Sequence, residues 1–180
     1  MSNFFIKKIV RTLFVFTSRQ RAITQAEGFL EKYTRLAEQL SPEAGQRSVE
    51  VPPMRGVDED MRRWSFYMIL EHNTIVNKSI SVIVRQLVHG EPLGVAAAID
   101  PKKDVMPCES AGEEQLRPFR NSVTSHIAIV RKLDRLRGTK KTPHMIFGDF
   151  DAHMWNCMFS FHLLLHYKQA EHVFRIVKAD

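Results

Sequence analysis

The stretch Phe159-Ser160-Phe161-His162-Leu163-Leu164-Leu165-His166-Tyr167-Lys168-Gln169 sets two imidazoles four residues apart in an otherwise apolar run. Residues so spaced are neighbours on a helix, with Cβ atoms about 5–6 Å apart. Both rings can therefore reach one metal ion at the ~2.0–2.1 Å of a zinc–imidazole bond. The bland alternative is two core histidines, each satisfied by a partner of its own, because burying either without one costs roughly 1–3 kcal/mol. Needing two separate partners on one turn weakens that alternative. The pattern lacks the glutamate of HExxH, which disfavours a zincin-type protease.

Two ligands make a weak site, and helical bundles draw the others from facing helices. His72 lies on an apolar stripe with Met61, Trp64, Met68, Ile69, Val76 and Ile83, where a solvated residue does not belong. His126 lies on another, between Val123 and Ile129, and the reading favoured for it is a core histidine that lines the pocket at most. His89, His144, His153 and His172 fall at helix ends, beside a loop or off the inward stripes. Gln169 follows His166 by three residues and is placed to orient its ring, although a polar residue near a helix end explains it equally well. Cys157 lies far around the helix from His162 and is excluded as a ligand. Glu71, Asn73 and Asn77 point away from the His72 face, so no general base declares itself.

The elements that must position these residues read as helices with little sign of strand. Apolar residues recur at three- and four-residue spacing over residues 17–40, ended by Ser41-Pro42. A second helix is expected from Asp58 as N-cap to His89, with Gly90 as its stop. Ser110-Ala-Gly-Glu113 has the capping-box pattern and opens a third, which Gly138 closes. A fourth starts near Asp151. The connection over residues 90–110 holds three prolines and two glycines, a length that in compact domains tends to serve function or motion. Residues 1–16 form an amphipathic segment ahead of a bundle at 17–180. Lys7, Lys8 and Arg11 interrupt its apolar residues, so it is neither a signal peptide nor a membrane span. Its apolar face of Phe4, Phe5, Ile9, Leu13 and Phe16 exceeds what a solvated tail carries, and a homodimer is expected from it; docking onto the same subunit's bundle is the bland alternative, and reversible membrane contact ranks below both.

The 180 residues suit one domain with one core. The net charge of +6 comes from Lys and Arg scattered along the chain, without a run that would read as a nucleic-acid arm. The two cysteines, without CxxC, form neither a disulfide framework nor a zinc knuckle and fit a reducing cytoplasm.

The end of the chain, PHMIFGDFDAHMWNCMFSFHLLLHYKQAEHV, resembles the last helix of the DinB/YfiT-like superfamily. Its members show His-Pro-x-x-Gly-x-x-Thr, a Trp in the first turn, and a final HxxxHxxQ. Here these positions read His144 to Gly148, Trp155, and His162, His166 and Gln169. The matching position for the family's third metal histidine, on the second helix, is His72. The resemblance covers about residues 17–176 and is strongest in the C-terminal third. The chain departs from it where Pro143 precedes His144 instead of following it, and where Asp151 replaces the usual Thr. The resemblance implies an all-α, DinB/YfiT-like four-helix bundle, extended here by the N-terminal helical segment. It also implies a divalent transition metal, nickel or zinc foremost and iron or manganese next, held by His72, His162 and His166 with open coordination positions. The activity it implies is that of a metal-dependent transferase activating a small, low-molecular-weight thiol against a small-molecule substrate. A metal-dependent hydrolase stands close behind, and a non-enzymatic metal- or ligand-binding bundle is the rival class. No nucleic acid and no stable membrane insertion belong to this reading.

Overall fold

The computed structural model describes residues 3–92 and 104–179. Among them the chain is mostly helical. The helices are α1 (Asn3–Phe16), α2 (Arg19–Ala37), the single-turn α3 (Pro42–Gln46), α4 (Phe66–His89), α5 (Leu116–Lys132) and α6 (Ala152–Ala179). A small hairpin, β1 (Thr142–His144) and β2 (Gly148–Phe150), precedes α6. Its strands pair antiparallel with Thr142 opposite Phe150 and His144 opposite Gly148, an element the helical patterning did not announce. α6 packs against α4 and α2, and α5 packs against the same two helices. Tyr33, Phe66, Ile69, Leu70, Phe119, Phe159 and Leu163 fill the space between them, all essentially withdrawn from solvent.

Local chemistry sets the helix boundaries. Ser18 caps α2, its Oγ accepting the Arg21 N–H at 3.1 Å. Ser41 does the same for Ala44 at 3.2 Å, so Ser41-Pro42 both follows one helix and opens the next. The expected start of α4 at Asp58 is corrected. Asp58 precedes only a 3₁₀ turn, Glu59–Met61, and the α-helix begins at Phe66 with Ser65 as N-cap. The intervening chain is pinned as a loop. The Arg62 carbonyl accepts the Val51 N–H at 3.0 Å, while the Arg62 guanidinium donates to the Val51 carbonyl and to Glu50 Oε1, each at 2.8 Å. Gly90 ends α4 at φ +70°, the left-handed conformation that favours glycine.

The expected capping box of α5 is corrected as well. Ser110 Oγ faces Cys108 Sγ at 3.0 Å, while Glu114 reaches back to the Gly112 N–H at 2.8 Å. A 3₁₀ turn, Glu113–Gln115, then leads into α5. That helix ends at Lys132 and not at Gly138. Arg19 takes the Leu133 and Asp134 carbonyls at 2.6 and 2.9 Å and holds the chain outside the helix, and Gly138 serves a later turn at φ +69°. Asp151 opens α6, its Oδ1 accepting the Met154 N–H at 2.9 Å.

α1 lies against α6. Its Val10 and Phe14 are buried, and Phe14 meets Phe150 and Phe161 edge-on, at 5.7 Å in each case. Phe5, Ile9, Leu13 and Phe16 face outward. The side chain of Phe4 and the middle of the 90–110 connection, residues 93–103, lie outside the described residues. Among the described residues no helix is long and apolar enough to cross a membrane.

Candidate metal centre

His72 stands on the second turn of α4, and His162 and His166 stand on one face of α6, the helix packed against it. The structure brings the three together, each offering a ring nitrogen within 4.8 Å of the others. His72 Nε2 lies 3.2 Å from His162 Nε2 and 3.1 Å from His166 Nε2. Ligands ~2.1 Å from one ion stand about 3.0 Å apart at a right angle and about 3.4 Å apart at the tetrahedral angle. The two observed separations fall inside that range. His72 and His166 are each 2% exposed. His162 is half-buried as a residue, and its Nδ1 is out of solvent.

Proton positions follow from the partners behind the rings. His72 Nδ1 lies 2.8 Å from the Val105 carbonyl oxygen, which only accepts, so the proton sits on Nδ1. His166 Nδ1 lies 2.8 Å from Gln169 Oε1. The Gln169 amide is itself oriented by its Nε2, which donates to the Met61 carbonyl at 2.7 Å. His166 is therefore also protonated on Nδ1. Burial pushes the His72 imidazole down to about 4 and that of His166 down to about 3, where the neighbouring His72 adds to the effect. His162 is lowered in the same direction, first by burial and then by His166 and His72. All three are neutral at neutral pH. Two bare Nε2 lone pairs, on His72 and His166, thus face each other at 3.1 Å. Without a cation between them that contact is repulsive. This donor set fits a divalent transition metal.

The surroundings were only partly legible in advance. The Val105 and Met61 carbonyls, which fix two of the rings, carry no sequence signal because any residue supplies a carbonyl. The Trp64 ring lies 4.9 Å from that of His72 and 6.2 Å from that of His166, forming an apolar wall. Glu71 points away from the three rings, as its helix position requires, and its Oε2 accepts the Cys108 N–H at 2.8 Å. Adjacent residues of α4 thereby hold the end of the long connection that supplies Val105. Among the described residues His162 Nδ1 has no hydrogen-bond partner. Trp155, two turns earlier on α6, likewise carries a buried indole N–H without one.

His126 is elsewhere. Its Nδ1 meets Ser81 Oγ at 2.9 Å, its Nε2 meets Asn156 Oδ1 at 3.2 Å, and its ring stacks on Phe159 at 3.7 Å. With both nitrogens engaged it neither joins the triad nor lines it. His153 bonds the Phe14 carbonyl at 3.1 Å, and Cys157 beside it is buried, its thiol pushed up to about 12. His144 Nδ1 accepts the Ile146 and Phe147 N–H groups and so organises the hairpin turn. Two surface clefts, one beside Glu50 and Arg62 and one beside His89 and Lys140, contain none of the three histidines. No family model, no curated protein and no solved structure matches the chain.

Proposed function

We propose that this protein is a metal-dependent enzyme whose divalent transition ion is held by Nε2 of His72, His162 and His166. The observation that carries the reading is the pair of converging, tautomer-locked lone pairs on His72 and His166. Three neutral imidazoles leave the ion its full charge and leave coordination positions open, which is the pattern of catalytic and not of structural sites. Such an ion supplies Lewis acidity: it polarises an oxygen or acidifies a bound water or thiol. The chain's own part is to hold the rings at fixed angles from Val105 and Gln169 and to keep a dry apolar wall at Trp64.

Transfer of a small thiol to an electrophilic small molecule is the reaction we favour. The DinB/YfiT-like resemblance supports it, together with the mutual packing of α2, α4, α5 and α6 expected of a four-helix bundle. Hydrolysis at the same ion is the second reaction to screen. Imidazole ligands discriminate weakly among nickel, zinc, iron and manganese. The test is elemental analysis of the purified protein beside a His162→Ala/His166→Ala double variant. About one metal ion per chain, lost in the variant, is expected. Absence of metal after reconstitution with each candidate ion would return the rings to the core and end the proposal. A protein that holds metal but turns over neither thiol transfer nor hydrolysis would belong to the non-enzymatic binding class.

A further inference from the structure

The three rings of the triad are not held alike. His72 gives its Nδ1 proton to the Val105 carbonyl at 2.8 Å, and His166 gives its own to Gln169 Oε1 at 2.8 Å. Gln169 is fixed in turn by the Met61 carbonyl at 2.7 Å. Among the described residues nothing pairs with His162 Nδ1, although that atom is out of solvent. A ligating histidine almost always donates its second ring nitrogen to a carbonyl, a carboxylate or water, which fixes both the tautomer and the ring angle. His162 lacks this support.

The sequence carries the same asymmetry. Gln169 follows His166 by three residues and reaches its ring. The equivalent place after His162 is Leu165, whose side chain accepts no proton. Leu165 serves packing: a Cβ on Gly56 would meet its Cδ1 at 2.7 Å. His72 and His166 are buried with Trp64 against both rings, while His162 is half-buried. The His162 ring also has a second use for Nε2. With its proton there it donates to the His72 Nε2 lone pair at 3.2 Å. To bind a cation through Nε2 it must carry that proton on Nδ1, and a buried N–H without a partner is unfavourable. His72 and His166 have no such choice, because the oxygens at their Nδ1 atoms only accept.

We infer that His162 is the releasable ligand of the triad: His72 and His166 retain the ion, and His162 yields its position to the small thiol. This rests on the metal-dependent reading of the site. One coordinate bond, from His162 Nε2, is lost and one, from the thiol sulfur, is gained, while the thiol proton passes to solvent. The two locked rings keep the ion in place during the exchange.

The test uses the full chain loaded with cobalt(II), a paramagnetic ion that imidazole ligands hold much as they hold nickel and zinc. Affinity is read by competition with a chelator, and the ligands are read by their hyperfine-shifted imidazole N–H resonances. His72→Ala and His166→Ala should each lose at least about tenfold more affinity than His162→Ala, since support behind a ligating ring is worth about 10- to 100-fold. The wild-type protein should show one shifted N–H resonance for each ring of the triad and lose one of them when 2-mercaptoethanol is added. His162→Ala should lack that same resonance from the start. Leu165→Gln sets an acceptor where Gln169 stands for His166, and it should raise cobalt affinity and keep the third resonance in the presence of the thiol. Persistence of all the wild-type resonances with the thiol present, or equal loss of affinity in the single alanine variants, overturns the inference and leaves the metal reading intact. A wild-type chain that takes up no cobalt(II) overturns it too, and one that takes up no other candidate ion either ends the metal reading as well.

Discussion

His72 and His166 share a device: each commits Nδ1 to an oxygen that can only accept, which forces Nε2 to be a lone pair. For His166 the device has two stages, because Gln169 faces the ring with oxygen only while its nitrogen is held by Met61. Gln169→Leu breaks both stages. It should lower metal affinity about 10- to 100-fold, the usual loss when the group behind a ligating histidine is removed, read by competition with a chelator. The opposite result is expected at His126, whose partners are Ser81, Asn156 and Phe159. His126→Phe should cost roughly 1–3 kcal/mol in urea unfolding by leaving Asn156 unpaired, with metal content unchanged. Loss of metal in that variant would mean that His126 supports the triad after all.

At the scale of elements, the site is assembled by two long helices and one clamped connection. The strongly periodic helices were legible, as were the one-turn spacing of His162 and His166 and the inward position of His72. Their starts were not. Asp58 and Ser110 carry capping chemistry, but after Asp58 the chain is held to Val51 by Arg62, and after Ser110 Glu114 turns back locally onto the Gly112 N–H, so a 3₁₀ turn follows each instead of the α-helix. The hairpin was hidden because its strands are three residues each, too short for alternation to register. The true start of α4 is Ser65, fully buried, its Oγ accepting the Met68 N–H at 3.2 Å. Ser65→Ala orphans that donor one turn before His72. It should cost about 1 kcal/mol in thermal or urea unfolding. A cost near zero would show that water replaces the cap.

Over the whole molecule, neutral buried histidines set the response to acid. His72, His126 and His144 are each pushed by burial to about 4, and His166 to about 3, against the usual 6.5. A folded value below the unfolded one means that the unfolded chain binds protons first as pH falls. The stability these groups contribute is therefore complete above about pH 6.5 and declines below it, until the folded rings titrate near 4. Carboxylates do not reproduce this window, since they titrate mostly below it. A bound ion sharpens the response, because protons and metal compete for the same Nε2 atoms. Thermal unfolding between pH 8 and pH 4 should show a flat midpoint down to about 6.5 and then a fall. Metal should raise the midpoint above pH 6.5, with that gain shrinking as the pH drops and absent in His162→Ala/His166→Ala. A midpoint independent of pH over this range would mean that the rings are solvated and protonate freely in the folded chain.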